Sequence, residues 1–313
     1  MKRIKYPLLL LAAVLLPGTA LAQVAPGATI LQLTPDARSA GMAGTGLGMV
    51  GNASAAIFHN PSTLAFTPEM MGVSYSYSSF GTDNTLQAAS AFYKIGREGK
   101  QGVMAAYRHL RESRYAGEAS TDNFHPRAWD LEAAYFNNVA NHLSLALTFR
   151  YLHARTLPDL GSKGTVAFDL GATYHRNMRY LDGMSSWSVG FQAANLGPKL
   201  DGGKLPARLG LGGGVDLPFS MEHRVQVGVD LDYLLPSEIR HLQAGIGAEY
   251  YFLSYGVVRA GYRFGDKEKG AGNYGTVGCG FVYLPLTLNF SYALASRGSF
   301  MRDTWQISVA VAL

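Results

Sequence analysis

Between Leu143 and Tyr151 the chain reads Leu-Ser-Leu-Ala-Leu-Thr-Phe-Arg-Tyr, so every odd-numbered residue is large and apolar and every even one is small or polar. A repeat of two belongs to a strand, whose side chains alternate between its faces. From Met70 onward the same alternation returns about fourteen times,. It predicts strands over 70–79, 85–95, 101–110, 128–137, 142–152, 164–175, 185–194, 207–216, 222–231, 240–250, 253–264, 273–283, 286–295 and 304–313. Each is about ten residues long, the length a tilted strand needs to cross a bilayer.

The two faces of these strands differ in kind. One carries rows such as Val166, Phe168, Leu170, Ala172 and Tyr174, or Leu286, Leu288, Phe290, Tyr292 and Leu294, and the last row runs from Trp305 to Leu313. The other carries Asp169, Arg224, Gln226, Asp230, Gln243, Glu249, Asn289 and Gln306. Both charge signs on one face suit a hydrated or plugged lumen and not a dry sandwich core, where an unpaired charge is costly. Tyr151, Tyr174, Tyr250, Trp187 and Trp305 sit near strand ends, where interfacial aromatic girdles form,.

The connections supply a separate test. Links after even-numbered strands are mostly short, as at Gly96 to Lys100, Asn138 to Asn141 and Leu284-Pro285. Links after odd-numbered strands are mostly longer, as at Arg111 to Arg127, His153 to Lys163 and Asn195 to Pro206. Short turns on one side and long loops on the other mark outer-membrane barrels, whose short turns face the periplasm. Two links break the rule: Arg176 to Met184 is too long and Phe80 to Asn84 too short. A soluble β-sandwich also spaces its strands regularly, but with shorter strands and a more charged outer face.

Composition agrees. Hydrophobic residues make up 48% of the chain and charged residues only 16%, against roughly 25% charged in an average soluble domain. Past the leader, no apolar run approaches the ~18 residues of a helical span. The chain opens with Lys2, Arg3 and Lys5, then an apolar run from Leu8 to Leu16, then Ala20-Leu21-Ala22. That order predicts an export signal over 1–22. Without its three cations the formal net charge falls from +5 to +2, so nothing basic enough for nucleic acid remains,. The single Cys279 can form no internal disulfide and reads as a small buried or lipid-facing residue,.

Residues 23–69 have a different texture, rich in Gly and Ala as in Ala40 to Gly48 and Ala53 to Ala56. Small residues let a backbone lie close against its surroundings, and a barrel of this size encloses more space than its own side chains fill. The expected architecture is therefore an all-β, antiparallel transmembrane β-barrel of about 14 strands over 70–313, with residues 23–69 folded into the lumen as a plug or hatch. Gly46, Gly48 and Gly51 match G-x-G-x-x-G letter for letter, but no preceding strand or βαβ unit gives that match a mechanism,.

Leu31 to Gly44, reading LQLTPDARSAGMAG, and Ala55 to Ala65, reading AAIFHNPSTLA, resemble the amino-terminal signature of the PorV/PorQ family of outer-membrane proteins. Asn195-Leu196-Gly197, Asp201 to Lys204 ahead of Leu205-Pro206, and Asp230 to Pro236 (DLDYLLP) resemble that family's middle segments. The resemblance marks Asp36, Arg38, Gly41, Gly44, Asn60 and Pro61 as signature hatch residues, structural or partner-binding. It implies a FadL-like fourteen-stranded barrel with an amino-terminal hatch, acting in the type IX secretion system. The partners it implies are translocon or attachment subunits and secreted cargo with carboxy-terminal signal domains, around a single barrel set in outer-membrane lipid. A channel for hydrophobic small molecules is the alternative within the same fold.

No enzyme signature competes. No Ser lies in a G-x-S-x-G setting, no His pair has H-E-x-x-H spacing, and the eight His residues fall singly,. Asp130 and Glu132 point inward together, which a wet lumen explains if they balance Arg108 or Arg150,. The expected protein is non-enzymatic, with no cofactor and no metal.

Overall fold

The computed structural model describes residues 27–81, 83–114, 124–157, 161–180, 183–220, 222–253, 255–269 and 272–313. The leader expected at 1–22 lies outside the described residues, as do the first residues of the segment expected at 23–69. Among the described residues no helix is long and apolar enough to cross a membrane, which says nothing of strands.

Fourteen strands form one closed antiparallel barrel, each beside its sequence neighbours. They are β1 (Met71–Phe80), β2 (Asn84–Ile95), β3 (Gln101–Arg111), β4 (Arg127–Ala140), β5 (Leu143–Arg155), β6 (Lys163–Tyr180) and β7 (Gly183–Leu196). The second half holds β8 (Arg208–Pro218), β9 (Arg224–Leu234), β10 (Leu242–Phe252), β11 (Gly256–Phe264), β12 (Tyr274–Tyr283), β13 (Leu286–Ala295) and β14 (Trp305–Ala312). Closure is made by β1 against β14, with Val73 opposite Val311 and Tyr77 opposite Ile307. A closed sheet leaves no unpaired edge, the condition hydrocarbon imposes on any spanning backbone.

The period-two pattern reads directly onto this wall. Along β5, Leu145, Leu147, Phe149 and Tyr151 are exposed, while Ser144, Ala146, Thr148 and Arg150 are buried. Leu147 is 51% exposed and Thr148 only 1%, so adjacent residues face opposite media. Cys279 is exposed on β12, on the face it shares with Val277 and Phe281. Aromatic pairs gather near both ends of the strands. Tyr174 meets Trp187 at 5.4 Å and His223 stacks on Tyr250 at 5.8 Å on the short-turn side. On the other side Tyr77 meets Trp305 at 5.6 Å and Trp129 meets Tyr151 at 5.7 Å.

One apparent exception in the connections disappears. The link over Arg176 to Met184 looks long because strand pairing continues through it, with Arg176 opposite Trp187 and Arg179 opposite Met184. The alternation weakens there because the hairpin's outward positions stop being uniformly apolar. The link between β1 and β2 remains short, as the sequence indicates. Register shifts at Asn138/Ala140 and Phe168/Leu170 offset the pairing of β4–β5 and β6–β7.

Replacing Leu147, in the middle of the outward row of β5, by Arg is expected to destabilise the barrel by about 2–4 kcal/mol. Guanidinium unfolding of the protein in phospholipid vesicles measures it, and an unchanged midpoint would contradict a lipid-facing Leu147.

Candidate functional site

Fourteen strands whose inward positions include charged residues leave those charges needing partners, since a lone buried ion is costly. On one arc, Arg108 donates to Asp130 from Nε at 3.0 Å and from Nη2 at 2.6 Å. Arg150 donates to Asp169 Oδ2 at 2.9 and 2.7 Å. Glu132 lies between the two arginines, 2.9 Å from Arg108 and 3.1 Å from Arg150. All five side chains are buried. The expected balance of Asp130 and Glu132 by Arg108 and Arg150 is present, each acid touching both arginines, but in a buried setting instead of a wet one. A second cluster joins Asp232 to Arg208 and to Arg263, the latter at 2.8 Å.

The third cluster involves the amino-terminal segment. Asp36 caps a single helical turn, α1 (Ala37–Ala40), by accepting from the Ser39 N–H at 2.9 Å. The same carboxylate meets His59 Nε2 at 2.7 Å and accepts from Asn52 Nδ2 at 3.0 Å. Burial alone would raise the Asp36 carboxyl. Its bond to His59, the charge of that ring, the Ser39 N–H and Asn52 together hold it down at about 2,.

Arg38 leaves α1 toward the wall and grips Glu249 of β10 with Nε at 3.2 and 3.1 Å and with Nη2 as well. Nη2 also donates to Gln226 of β9 at 2.9 Å. Glu249 holds Arg259 of β11 at 2.8 Å and accepts from the Tyr251 hydroxyl of its own strand at 3.1 Å, so this carboxylate ties two barrel strands to the segment, and Gln226 adds a third through Arg38. Burial would lower the Arg38 guanidinium, but the Glu249 charge holds it above its ordinary value.

The other signature residues meet the wall or shape the segment. The Gly41 carbonyl accepts from Thr276 Oγ1 of β12 at 2.9 Å. Gly44 has φ +80°, a conformation side chains rarely adopt, and a Cβ there would lie 3.0 Å from Thr34 Oγ1,. Asn60 caps the 3-10 turn Pro61–Phe66, with Pro61 at its start. Asn60 Nδ2 reaches the Leu47 carbonyl at 3.0 Å and Thr173 Oγ1 of β6 at 3.2 Å. Asp36 and Arg38 therefore work as neighbours, while Asn60 and Pro61 dock on another arc of the wall.

Several partners have no mark in the signature. Asp230 Oδ2 accepts from the N–H groups of Gly46 and Leu47 at 2.8 and 3.1 Å. Gly190 of β7 lets the Leu47 backbone approach so closely that a Cβ would stand 1.8 Å from the Leu47 oxygen. The G-x-G-x-x-G letters at Gly46, Gly48 and Gly51 thus belong to backbone laid on the wall. Glu249, Asp230 and Gln226 are recognisable in sequence as inward polar positions; their pairing with residues some two hundred positions earlier is not.

Little free space remains around these contacts. A cavity of about 50 Å³ lies between Gln32–Thr34 and β12–β14, beside Tyr274, Ser291 and Gln306. Another of about 10 Å³, beside Arg38, Thr45 and His59, has room for about one water,. Neither approaches the ~150 Å³ that accommodates a benzene ring. Among the described residues no group of three or more His, Cys, Asp or Glu is placed to hold a metal.

A closed wall of fourteen strands, apolar outside and ion-paired within, defines a β-barrel of the outer-membrane type,. Solved structures of the Ralstonia pickettii toluene transporter TbuX and the Pseudomonas putida toluene transporter TodX share it. Each has 14% identity and a TM-score of 0.54, over 88% of this chain and 96% of theirs. The CymD monoaromatic hydrocarbon channel does so at 13% identity and a TM-score of 0.53, over 89% of this chain and 97% of that one. At such identities the likeness is one of fold. No curated protein matches the sequence. The family described as type IX secretion system protein PorV matches residues 20–239, most of the chain, and the chain belongs to that family. It is thereby an outer-membrane component associated with type IX secretion, in a non-enzymatic family.

Replacing Arg38 by Ala leaves Glu249 with Arg259 and the Tyr251 hydroxyl and should loosen the segment by about 3 kcal/mol, the low end for a broken buried pair. Hydrogen exchange of residues 37–49 should speed up while the strands stay protected. Because the Asp36 carboxyl lies below its unfolded value, its contribution is complete above pH ~4 and drains away as the pH falls toward 2. Exchange of the segment in wild type should rise over that window, and Asp36→Asn should reduce the rise.

Proposed function

We propose that the protein is a closed, non-conducting docking barrel of the type IX secretion system. Residues 23–69 act as its hatch, anchored by Asp36, Arg38, Gly41, Gly44, Asn60 and Pro61, after export directed by residues 1–22. The long connections on one side, chiefly 112–126, 156–162 and 197–207, then offer the surface that receives cargo signal domains or translocon and attachment subunits.

The observation that carries this reading is the interior. Arg38 completes the Glu249 cluster and the Gly46–Leu47 amides complete Asp230, so the segment supplies partners the strands leave unfilled. Space the size of a hydrocarbon ligand is lacking at both lumenal cavities. That favours docking over the alternative, a FadL-like channel for hydrophobic small molecules, although the fold is shared with toluene transporters.

Site-specific photocrosslinkers in the connections over 156–162 and 197–207 of the full-length protein test it. The expected products join the barrel to a protein bearing a carboxy-terminal signal domain or to a secretion subunit, and reconstituted bilayers should show no open-pore conductance. Uptake of an aromatic hydrocarbon or a fatty acid into vesicles carrying the protein, with no such crosslink, would favour the channel instead.

A further inference from the structure

The outward face of β3, β4 and β5 departs from the rest of the barrel at the end away from the short turns. Strand register places Arg111 directly opposite Arg127, and Arg127 directly opposite Arg155. The three arginines therefore form a row across adjacent strands, spanning about 10 Å for two strand spacings. One layer toward the bilayer the register gives His109, Trp129 and His153, and below them Tyr107, Leu131 and Tyr151. Those inner layers share the arginines' face, since Tyr107, Leu131 and Tyr151 are exposed while Arg108, Asp130 and Leu152 between them are buried.

This layering has a physical direction. Trp129 packs edge-on against His153 at 5.1 Å and lies 6.4 Å from Tyr107, forming an aromatic platform where a membrane interface would sit,. Register places the three arginines one step farther out, at headgroup height,. Like charges directly opposite one another weaken a sheet. Arg111 and Arg127 form no ion pair with any described acid, and Arg155 rests over the Phe124 ring at 5.2 Å. The base of the following loop is closed inward by the Glu112 N–H bond to the Pro126 carbonyl and by His125 on the Glu112 carbonyl. Other outward strand ends on this rim carry Ser79, Thr85, Tyr233, Phe264 and Leu294, and the exposed Arg240, two positions before Leu242, donates to the Leu235 carbonyl, so arginines directly opposite one another mark the arc of β3 to β5.

We propose that the Arg111–Arg127–Arg155 row binds the phosphate groups of an outer-leaflet glycolipid, of the lipid A class. Guanidinium groups recognise phosphate oxygens through paired N–H donors, and an anion shared by Arg111 and Arg127 turns their mutual repulsion into attraction, with Arg155 at the edge of the site,. The platform of Tyr107, Trp129 and His153 then lies beside the sugar and the first acyl carbons. The site is on the wall, separate from the hatch, and requires only that the long connections face the cell exterior.

Native mass spectrometry of the full-length protein in detergent tests this, with diphosphorylated lipid A, enzymatically dephosphorylated lipid A and phosphatidylethanolamine as probes. Wild type should retain diphosphorylated lipid A about tenfold better than either other lipid. The R111Q/R127Q/R155Q variant should lose that preference, and R127Q alone should lose part of it. Both variants are checked for folding by their heat-dependent gel shift, and R179Q at the opposite end of the barrel should behave as wild type. Excess inorganic phosphate should compete only weakly, because acyl chains contribute to retention. Equal retention by wild type and the folded variants, indifference to lipid phosphates, or full displacement by free phosphate would each overturn the proposal. So would loss of a bound protein partner in the variants with lipid retention unchanged.

Discussion

The structure depends on what a closed sheet does to side chains. Hydrocarbon requires every backbone N–H and C=O of the wall to be paired within the wall, which closure of β1 on β14 accomplishes,. Closure then sends alternate residues to one of two media. The outer set meets acyl chains and can be uniformly apolar. The inner set is withdrawn from both lipid and bulk water, so each inward charge must find an opposite charge or hydrogen-bonding groups at short range. The clusters around Glu132, Asp232 and Glu249 are the consequence.

In two of those clusters every ion pair joins strand to strand, and the segment adds only the Ile30 carbonyl, which accepts from Arg108 at 3.1 Å. The third takes a charge from the segment: Glu249 and Gln226 receive Arg38, while Asp230 receives two main-chain amides from the glycine-rich stretch. Wall and amino-terminal segment are thus chemically complementary. Glycine at 190 brings the Leu47 backbone within reach on one arc, whereas Ala88, Met104, Ala134 and Phe136 meet Ile57, Phe58 and Leu64 side chain to side chain on another. Backbone contact on one arc and apolar packing on the other hold a short segment with very little regular secondary structure.

The same fold serves proteins described as toluene transporters, which shows how little a barrel by itself says about what passes through or docks on it. In this chain residues of the amino-terminal segment bond inward side chains of the wall, and a row of arginines lies outside, on β3 to β5. Membership of the PorV family then directs attention to loops and rim.

Strand positions were legible because the membrane imposes a strict medium change at every residue, and a period of two survives in the letters of Leu143 to Tyr151. The signature residues Asp36, Arg38, Gly41, Gly44, Asn60 and Pro61 were legible only as a pattern, since nothing local says what a side chain in an irregular segment touches. The β6–β7 hairpin was read short because its pairing outlasts its apolar alternation. By itself the sequence determined the barrel and the division of its faces, as these follow from local alternation against two solvents. Only tertiary structure decided that Arg38 meets Glu249, that Gly190 admits Leu47 and that three arginines share one row. Each joins residues far apart in the chain, and register around a closed sheet is a property of the whole wall.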